Sequence, residues 1–459
     1  MQPEESTPLL IARLDRLPMT RYVWQLVLIL SLCGFFEIYE IALTSTLSAG
    51  LIHAGLFAAD RHGMFGLGDQ ATFIAATFLG LFVGTSACAS IADRFGRRRT
   101  LIGSLLWYMA AAAIMATQRS ANGLDAWRFV TGIGVGVQLI TIDSYIAELV
   151  PAQVRGKAFS LSYSFMYLAV PAAGVFSWLL LPRSPWGISG WRYVALFPIL
   201  AAPLLWLIHR FVPESPRWLI SRGKVVAAER VISVMERKAS LIASVALAVQ
   251  KPTSGRGVPM PAPGMFQPPY LRRTVMLLIL NIFQALGYYG FNNWVPALLA
   301  SQGIDFVKSL QYSLVIALVY PLTPLFCVWI ADRLERKWMI VAGAMGTAVF
   351  GLAFARQVLP QNLIVFGALV TISNIVLSYS YHAYQTELYP TRIRARAIGF
   401  VYSFSRLATI LSGFVIAFAL RQFGASGVFF FIAGCMFVVV VFVGALGPRT
   451  NGVALDGDG

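Results

Sequence analysis

Long apolar runs separated by short polar turns dominate the chain. A helix needs about 20 apolar residues to cross the hydrocarbon core of a bilayer. Twelve runs of that kind lie near 23–50, 70–92, 100–117, 124–149, 157–180, 190–211, 272–299, 308–331, 338–355, 361–387, 395–420 and 426–446. Gly and Pro recur inside them, as membrane helices tolerate. The pattern predicts an all-α integral membrane protein with twelve transmembrane helices. Three polar stretches stand outside the runs: a tail at 1–22, a loop at 212–271 and a tail at 447–459.

Composition removes the soluble alternatives. Of 459 residues, 58% are hydrophobic and 12% charged, against roughly 25% charged in a soluble protein. Mean hydropathy is +0.70. A soluble domain cannot hide that much apolar surface, so a soluble enzyme, a secreted disulfide scaffold and a disordered regulator are excluded. The net charge of +16 would point to nucleic acid in a soluble protein. Here it follows from Lys and Arg gathering in cytoplasmic loops. With the N-terminus inside, 27 of the 36 basic residues fall in inside segments, seven outside and two, Arg128 and Arg406, within spans. Both termini are then cytoplasmic. The polar start lacks a short apolar region before a small-residue cleavage site, so no removable signal peptide is expected.

The chain repeats itself at one offset. IADR at 91–94 recurs at 330–333; Glu148, Pro151 and Arg155 recur as Glu387, Pro390 and Arg394; Tyr163-Ser164-Phe165 recurs as Tyr402-Ser403-Phe404. Every pair is 239 residues apart. This predicts two six-helix bundles, 23–211 and 272–446, joined by the cytoplasmic linker 212–271, an arrangement that suits halves rocking about a central site. Residues 216–250 read as an amphipathic helix, and the Pro-rich 252–269 as an extended tether.

The motifs carry a resemblance. GTSACASIADRFGRRR (84–99) resembles the loop 2–3 signature of the major facilitator superfamily; the second copy departs, with Glu335 where Gly96 stands in the first. RFVTGIGVG (128–136) with YIAE (145–148) and RGK (155–157) looks like span 4 of the sugar porters, and PESPRWLISRGK (213–224) like the segment after their span 6. ELYPTRIR (387–394) looks like the span 10–11 turn of the organic ion transporters. The resemblance implies a secondary transporter in the plasma membrane, the cell inner membrane if bacterial, working as a monomer with protons and a small molecule. Departures bear on substrate. The double Gln and Gly-x-Asn of sugar porters become NIFQALGYYGFNNWVP (281–296), and their span 10 Gly-Pro and Trp become YSYHAYQ (379–385), so most hexose ligands are missing.

Charges inside hydrocarbon are functional candidates by default. Glu40 matches the sugar porters' span 1 acid and Arg128 the span 4 Arg facing it. Burial disfavours a charged carboxylate and a guanidinium favours it, so opening the cavity alters the balance, as a proton carrier requires. A static pair holding span 1 to span 4 is the alternative. Glu37 lies on nearly the same face. Asp143 and His382 occupy equivalent places in the two copies, and a proton relay there is conceivable.

Arg406, mid-span 11, resembles the organic anion transporters' span 11 Arg, and a guanidinium forks onto a carboxylate. Tyr288, Tyr289, Asn292 and Asn293 in span 7, with Tyr381, Tyr384 and Gln385 in span 10, suit a flat or small organic ligand; for Trp294 an interfacial belt is the alternative. Gly287, Gly290 and Pro296 would let span 7 bend. Asp93, Arg97, Arg98, Glu148, Arg155, Glu214, Arg217, Asp332, Arg336, Glu387 and Arg394 line the cytoplasmic ends as an expected gate network.

The expected function is proton-coupled uptake of a small organic anion, aromatic or nicotinate-like. A sugar or polyol symporter and an exporter of small organic compounds are the alternatives; a sensor would need a larger tail. No cofactor, metal or nucleic acid is expected. GIGVG (132–136) has no preceding strand to make it a dinucleotide loop, and His53, His62, His209 and His382 lack metal spacing. The four cysteines read as packed thiols.

Overall fold

The computed structural model describes residues 10–14, 17–18, 20–57, 69–151, 155–240, 264–268, 270–331, 334–357, 359–389 and 391–449. These form helices joined by turns and short loops, with no strand among them. Nine segments of the described residues are long and apolar enough to cross a membrane, and the last of them, Ala397–Leu446, holds two expected spans.

The N-terminal half runs α1 (Arg21–His53), α2 (Asp69–Phe95), α3 (Arg97–Thr117), α4 (Ala121–Leu149), α5 (Arg155–Met166), α6 (Ala169–Leu180), α7 (Gly190–Leu196) and α8 (Ala202–Phe211). Side chains set several starts. Thr20 Oγ1 accepts from Val23 N at 3.2 Å and Ser120 Oγ from Gly123 N at 3.2 Å, satisfying amides that have no partner within the helix. The linker holds α9 (Pro216–Ser221) and the amphipathic α10 (Val225–Ser240). Arg13 docks on α10, donating to Glu236 at 2.9 and 2.6 Å. The Pro-rich tether lies almost wholly outside the described residues.

The C-terminal half runs α11 (Tyr270–Asn292), α12 (Val295–Ser301), α13 (Phe306–Ala317), α14 (Thr323–Ala331), α15 (Arg336–Ala355), α16 (Pro360–Glu387) and α17 (Thr391–Leu446). The boundary between the last two expected spans is Gly424, the non-helical residue in α17 at φ 65°, ψ −167°. The eighth expected span is two helices, because Pro321 and Pro324 interrupt the ladder. The seventh breaks at Asn293–Trp294, just before Pro296. Gly287 and Gly290 do not hinge it: an added Cβ would meet Met436 and Ile416 side chains, so both are packing positions.

Spans 2 and 4 share a glycine seam. A Cβ on Gly80 or Gly84 would run into the carbonyls of Phe129 or Ile133, and one on Gly132 or Gly136 into those of Thr77 or Leu81. Small residues four apart on both helices let the backbones touch. This is the structural use of GIGVG.

The halves meet mainly near the ends that the charge pattern assigns to the outside. Phe78 packs edge-on to Tyr289 at 4.8 Å, His53 stacks on Phe306 at 4.4 Å, and Leu314 lies against Gly174. Tyr167 and Tyr320 touch at 5.8 Å nearer the middle. His382, toward the other end of its span, is exposed.

Candidate functional site

The glycine seam brings Arg128 to Thr77, whose Oγ1 accepts from Arg128 Nε at 3.0 Å. Glu40 on α1 completes the cluster. Arg128 Nη1 meets Glu40 Oε2 at 2.5 Å, with both side chains 1% exposed. Nη2 donates to the Glu40 carbonyl and to Thr44 Oγ1, at 2.5 and 2.7 Å, and the Phe73 ring lies 5.4 Å from the guanidinium. Ile41, Leu81, Thr131, Gly132 and Val135 pack around the pair. Glu40 Oε1 has no hydrogen-bond partner. A guanidinium with its donors engaged and a carboxylate with one free oxygen hold a charge in apolar surroundings while leaving one atom able to accept a proton.

Glu37 faces elsewhere. It is buried and makes no hydrogen bond or ion pair among the described residues, while interacting electrostatically with Asp143 and Arg406. The Tyr163 hydroxyl donates to Asp143, 3.0 and 2.9 Å from its two oxygens. Asp143 is thus separate from the Glu40–Arg128 pair.

Arg406 is 4% exposed, and no carboxylate of the described residues lies within ion-pair distance. Its donors go to tyrosines: Nη2 to the Tyr402 hydroxyl at 2.6 Å and Nη1 to that of Tyr289 at 3.4 Å, with the Tyr402 ring 4.9 Å from the guanidinium. Nε is buried without a partner. Tyr288 packs on Tyr289. The His382 Nδ1 lies 2.8 Å from the Ser378 carbonyl. A carbonyl only accepts, so Nδ1 carries the proton, and in the neutral ring Nε2 accepts from the Tyr381 hydroxyl at 3.2 Å.

The rest of the expected binding set disperses. Tyr384 is fully buried and donates to the Pro448 carbonyl at 2.7 Å, tying span 10 to the chain after α17. Its hydroxyl is thus taken up at the end of span 10, away from the Arg406 hydroxyl partners Tyr289 and Tyr402. Trp294 is 3% exposed, so it does not form an interfacial belt. Asn292, Asn293 and Gln385 keep buried polar atoms without partners.

At the ends that the charge pattern assigns to the inside, the first-copy motifs bind one another. Arg97 bridges Asp93 at 2.6 Å and Glu148 at 3.0 Å. Arg336 repeats this in the second copy, 3.0 Å from Glu387. Arg98 donates to the His209 carbonyl. Among the described residues Glu214 makes no salt bridge; its Oε1 accepts from the backbone of Arg97 and Arg98 at 2.9 and 3.1 Å, capping α3 where amides are free. Gly96 precedes them at φ 95°, and a Cβ there would strike Glu214 Oε2. Trp218 Nε1 donates to the Asp93 carbonyl at 2.7 Å. Asp332 and the side chains of Arg155 and Arg394 lie outside the described residues. Cys33, Cys327 and Cys435 are buried free thiols.

The family model described as "Sugar (and other) transporter" matches residues 26–457. The chain belongs to that family of the major facilitator superfamily. It is a transporter and not an enzyme, an integral multi-pass protein of the plasma membrane. Among relatives, a Bacillus subtilis protein named as a metabolite transport protein, YyaJ, is 32% identical over 96% of this chain and 95% of its own. The niacin transporter NiaP of Acinetobacter baylyi is 26% identical over 98% and 99%. A structure of the xylose transporter XylE from Escherichia coli, in a partially occluded inward-open conformation, superposes with a TM-score of 0.73 at 19% identity, covering 94% and 99%.

Within this family member, sequence reading passed over Thr44 and Thr77 on Arg128, Tyr163 on Asp143 and Tyr402 on Arg406. The signal for the tyrosines was present. Tyr163 and Tyr402 are equivalents in the repeat, as Asp143 and His382 are, and Tyr402 faces His382 at 5.7 Å. The repeat thus places a tyrosine beside a titratable residue in each half.

Proposed function

We propose that this transporter takes up a small organic anion, an aromatic or nicotinate-like carboxylate, together with a proton. The carrying observation is Arg406: a buried guanidinium with, among the described residues, no acid within ion-pair distance, an unpartnered Nε and tyrosine hydroxyls on its other donors. A buried charge needs compensation, and a carboxylate offers it in the planar two-point form that a guanidinium matches. The neighbouring tyrosines offer ring faces and hydroxyls to an aromatic ligand. The niacin transporter and the cis,cis-muconate transport protein among the relatives carry names of the same chemical class. Glu40 is the proton carrier in this reading and Arg128 the cation that releases it as the cavity opens.

A sugar or polyol symporter is the second reading, favoured by the Glu40–Arg128 pair on a sugar-porter-like span 4. The test is proton entry into dye-loaded proteoliposomes on addition of benzoate, nicotinate, hexoses or polyols, with empty vesicles correcting for weak-acid leak. Carboxylate-driven entry that Arg406→Ala abolishes supports the anion reading. Entry driven only by a sugar or polyol, indifferent to Arg406→Ala, replaces it with the second.

A further inference from the structure

The turn that joins spans 5 and 6 is both strained and held in place. Trp186 has φ 51° and ψ 28°, and among the described residues it is the one non-glycine with positive φ. Gly187 follows at φ 76°, and Ile188 N donates to the Pro185 carbonyl at 3.0 Å. Pro185–Ile188 is therefore a type I′ turn. Such a turn takes Asn, Asp or Gly at its first left-handed position, because a β-carbon there crowds the following carbonyl oxygen. Between the last two spans the left-handed residue is Gly424, at φ 65°, so a reversal at this end does not itself need a large side chain. Around Trp186 the turn is tied down. Gly187 N donates to the Ser184 carbonyl at 3.1 Å and Gly190 N to that of Arg183 at 3.0 Å. The Tyr193 hydroxyl donates to the Pro185 carbonyl at 3.1 Å. Arg192 donates to the carbonyls of Ala116 and Gln118 at the end of span 3. The indole gains little inside the chain: it meets the Tyr193 ring at 6.2 Å and stays 90% exposed.

Backbone strain at an ordered, exposed aromatic residue calls for compensation from outside the chain. We propose that this turn is an anchor in the outer leaflet of the bilayer, with the Trp186 indole among the lipid ester groups and Arg183 on the phosphates. Three observations commit the turn to lipid. The first is continuity with the bilayer-facing surface. Leu168 and Val175 on span 5, and Ile199 and Trp206 on span 6, are exposed pairs, each spaced to lie on one helix face. Exposed Leu200 and Ile188 carry that apolar surface up to the turn. The second is charge. Residues 181–193 hold two arginines and no acid; Arg192 is taken up by span 3, and Arg183 is exposed beside the indole, where a phosphate matches it. The third is the side chain itself. An indole has an apolar body and a single N–H donor, the combination that settles at headgroup level. A turn tied to span 3 then holds the outer end of the N-terminal half at one depth in the bilayer.

The experiment uses the full chain in phosphatidylcholine vesicles. Subtracting the tryptophan emission of Trp186→Asn from that of wild type isolates Trp186, and Asn keeps the turn because it accepts the left-handed conformation. The isolated emission is expected to lie to the blue of free tryptophan and to resist quenching by aqueous iodide. It should lose more intensity to lipids brominated near the carbonyl end of the acyl chain than to lipids brominated near the methyl end. Iodide quenching as strong as that of free tryptophan overturns the anchor, since the indole then stands in water. Emission that resists iodide and also ignores brominated lipid overturns it as well, because another protein surface then covers the ring. Equal or greater loss to the deep bromines places the ring in the hydrocarbon and overturns the headgroup assignment. Where Trp186→Asn does not fold, a nitroxide on Ile188→Cys decides, with Cys33, Cys327 and Cys435 buried. Its collisions with oxygen must exceed those with an aqueous nickel complex, and the reverse order overturns the proposal.

Discussion

Arg128 and Glu40 form an ion pair 2.5 Å apart with both side chains 1% exposed, and Thr44 and Thr77 occupy the remaining guanidinium donors. Removing one member leaves the other charged and unmatched. Arg128→Ala is expected to cost about 3–5 kcal/mol, read as a large drop in the thermal unfolding midpoint in detergent. Glu40→Gln keeps an acceptor for Arg128 but cannot carry a proton. It should fold, lose accumulation driven by a pH gradient and retain counterflow exchange; full gradient-driven accumulation would show the pair to be a static brace.

Arg406 offers a fork, and Lys offers a point charge. Hydrogen bonds to charged groups contribute about 1.5–3 kcal/mol, so Arg406→Ala should weaken benzoate binding by roughly tenfold to a hundredfold. Arg406→Lys should fall between the two. Titration calorimetry on the purified variants measures this, and equal affinity in all three would remove Arg406 from the site.

Gly96 combines φ 95° with the Glu214 carboxylate against its α-carbon. Gly96→Ala is expected to lose about 1–3 kcal/mol of stability. Gly103→Ala, where an added Cβ meets nothing, serves as the control and should be neutral or stabilising. Denaturation followed by tryptophan fluorescence compares them.

The pairs Arg97–Glu148 and Arg336–Glu387 are the same contact in two copies. Exchanging the charges, as Arg336→Glu with Glu387→Arg, should restore transport that either single change reduces, because the partners are only partly exposed. Single changes should cost about 1 kcal/mol of stability or less, so their effect should show in uptake rate more than in melting temperature. A double variant no better than the singles would mean the pair acts through neighbours other than each other.

The twelve runs, the duplication and the titratable candidates were legible because each depends on local composition or on a fixed offset. Glu40 with Arg128 was legible too, since both match one family pattern. The capping role of Glu214 was not legible, because nothing local shows that a carboxylate 117 residues away in sequence will cap the helix that starts at Arg97. Tyr384 was placed with the ligand set as one of the span 10 aromatics, and nothing local shows that its hydroxyl will bond the Pro448 carbonyl.

Hydrophobic run length determines that a segment spans the bilayer, and basic loops determine which way it runs, since lipid and leaflet asymmetry act on each segment separately. The repeat at 239 leads to the expectation of two like bundles. Which buried charge meets which partner is decided only when helices rotate and close on one another. The Gly80–Gly84 and Gly132–Gly136 seam sets how near α2 and α4 approach, and so sets Arg128 on Thr77 and Glu40. The turn of α17 aims Arg406 at Tyr289 and Tyr402 and, among the described residues, leaves no acid within ion-pair distance. Both are matters of ångströms between elements distant in the chain, to which hydropathy along the chain is blind.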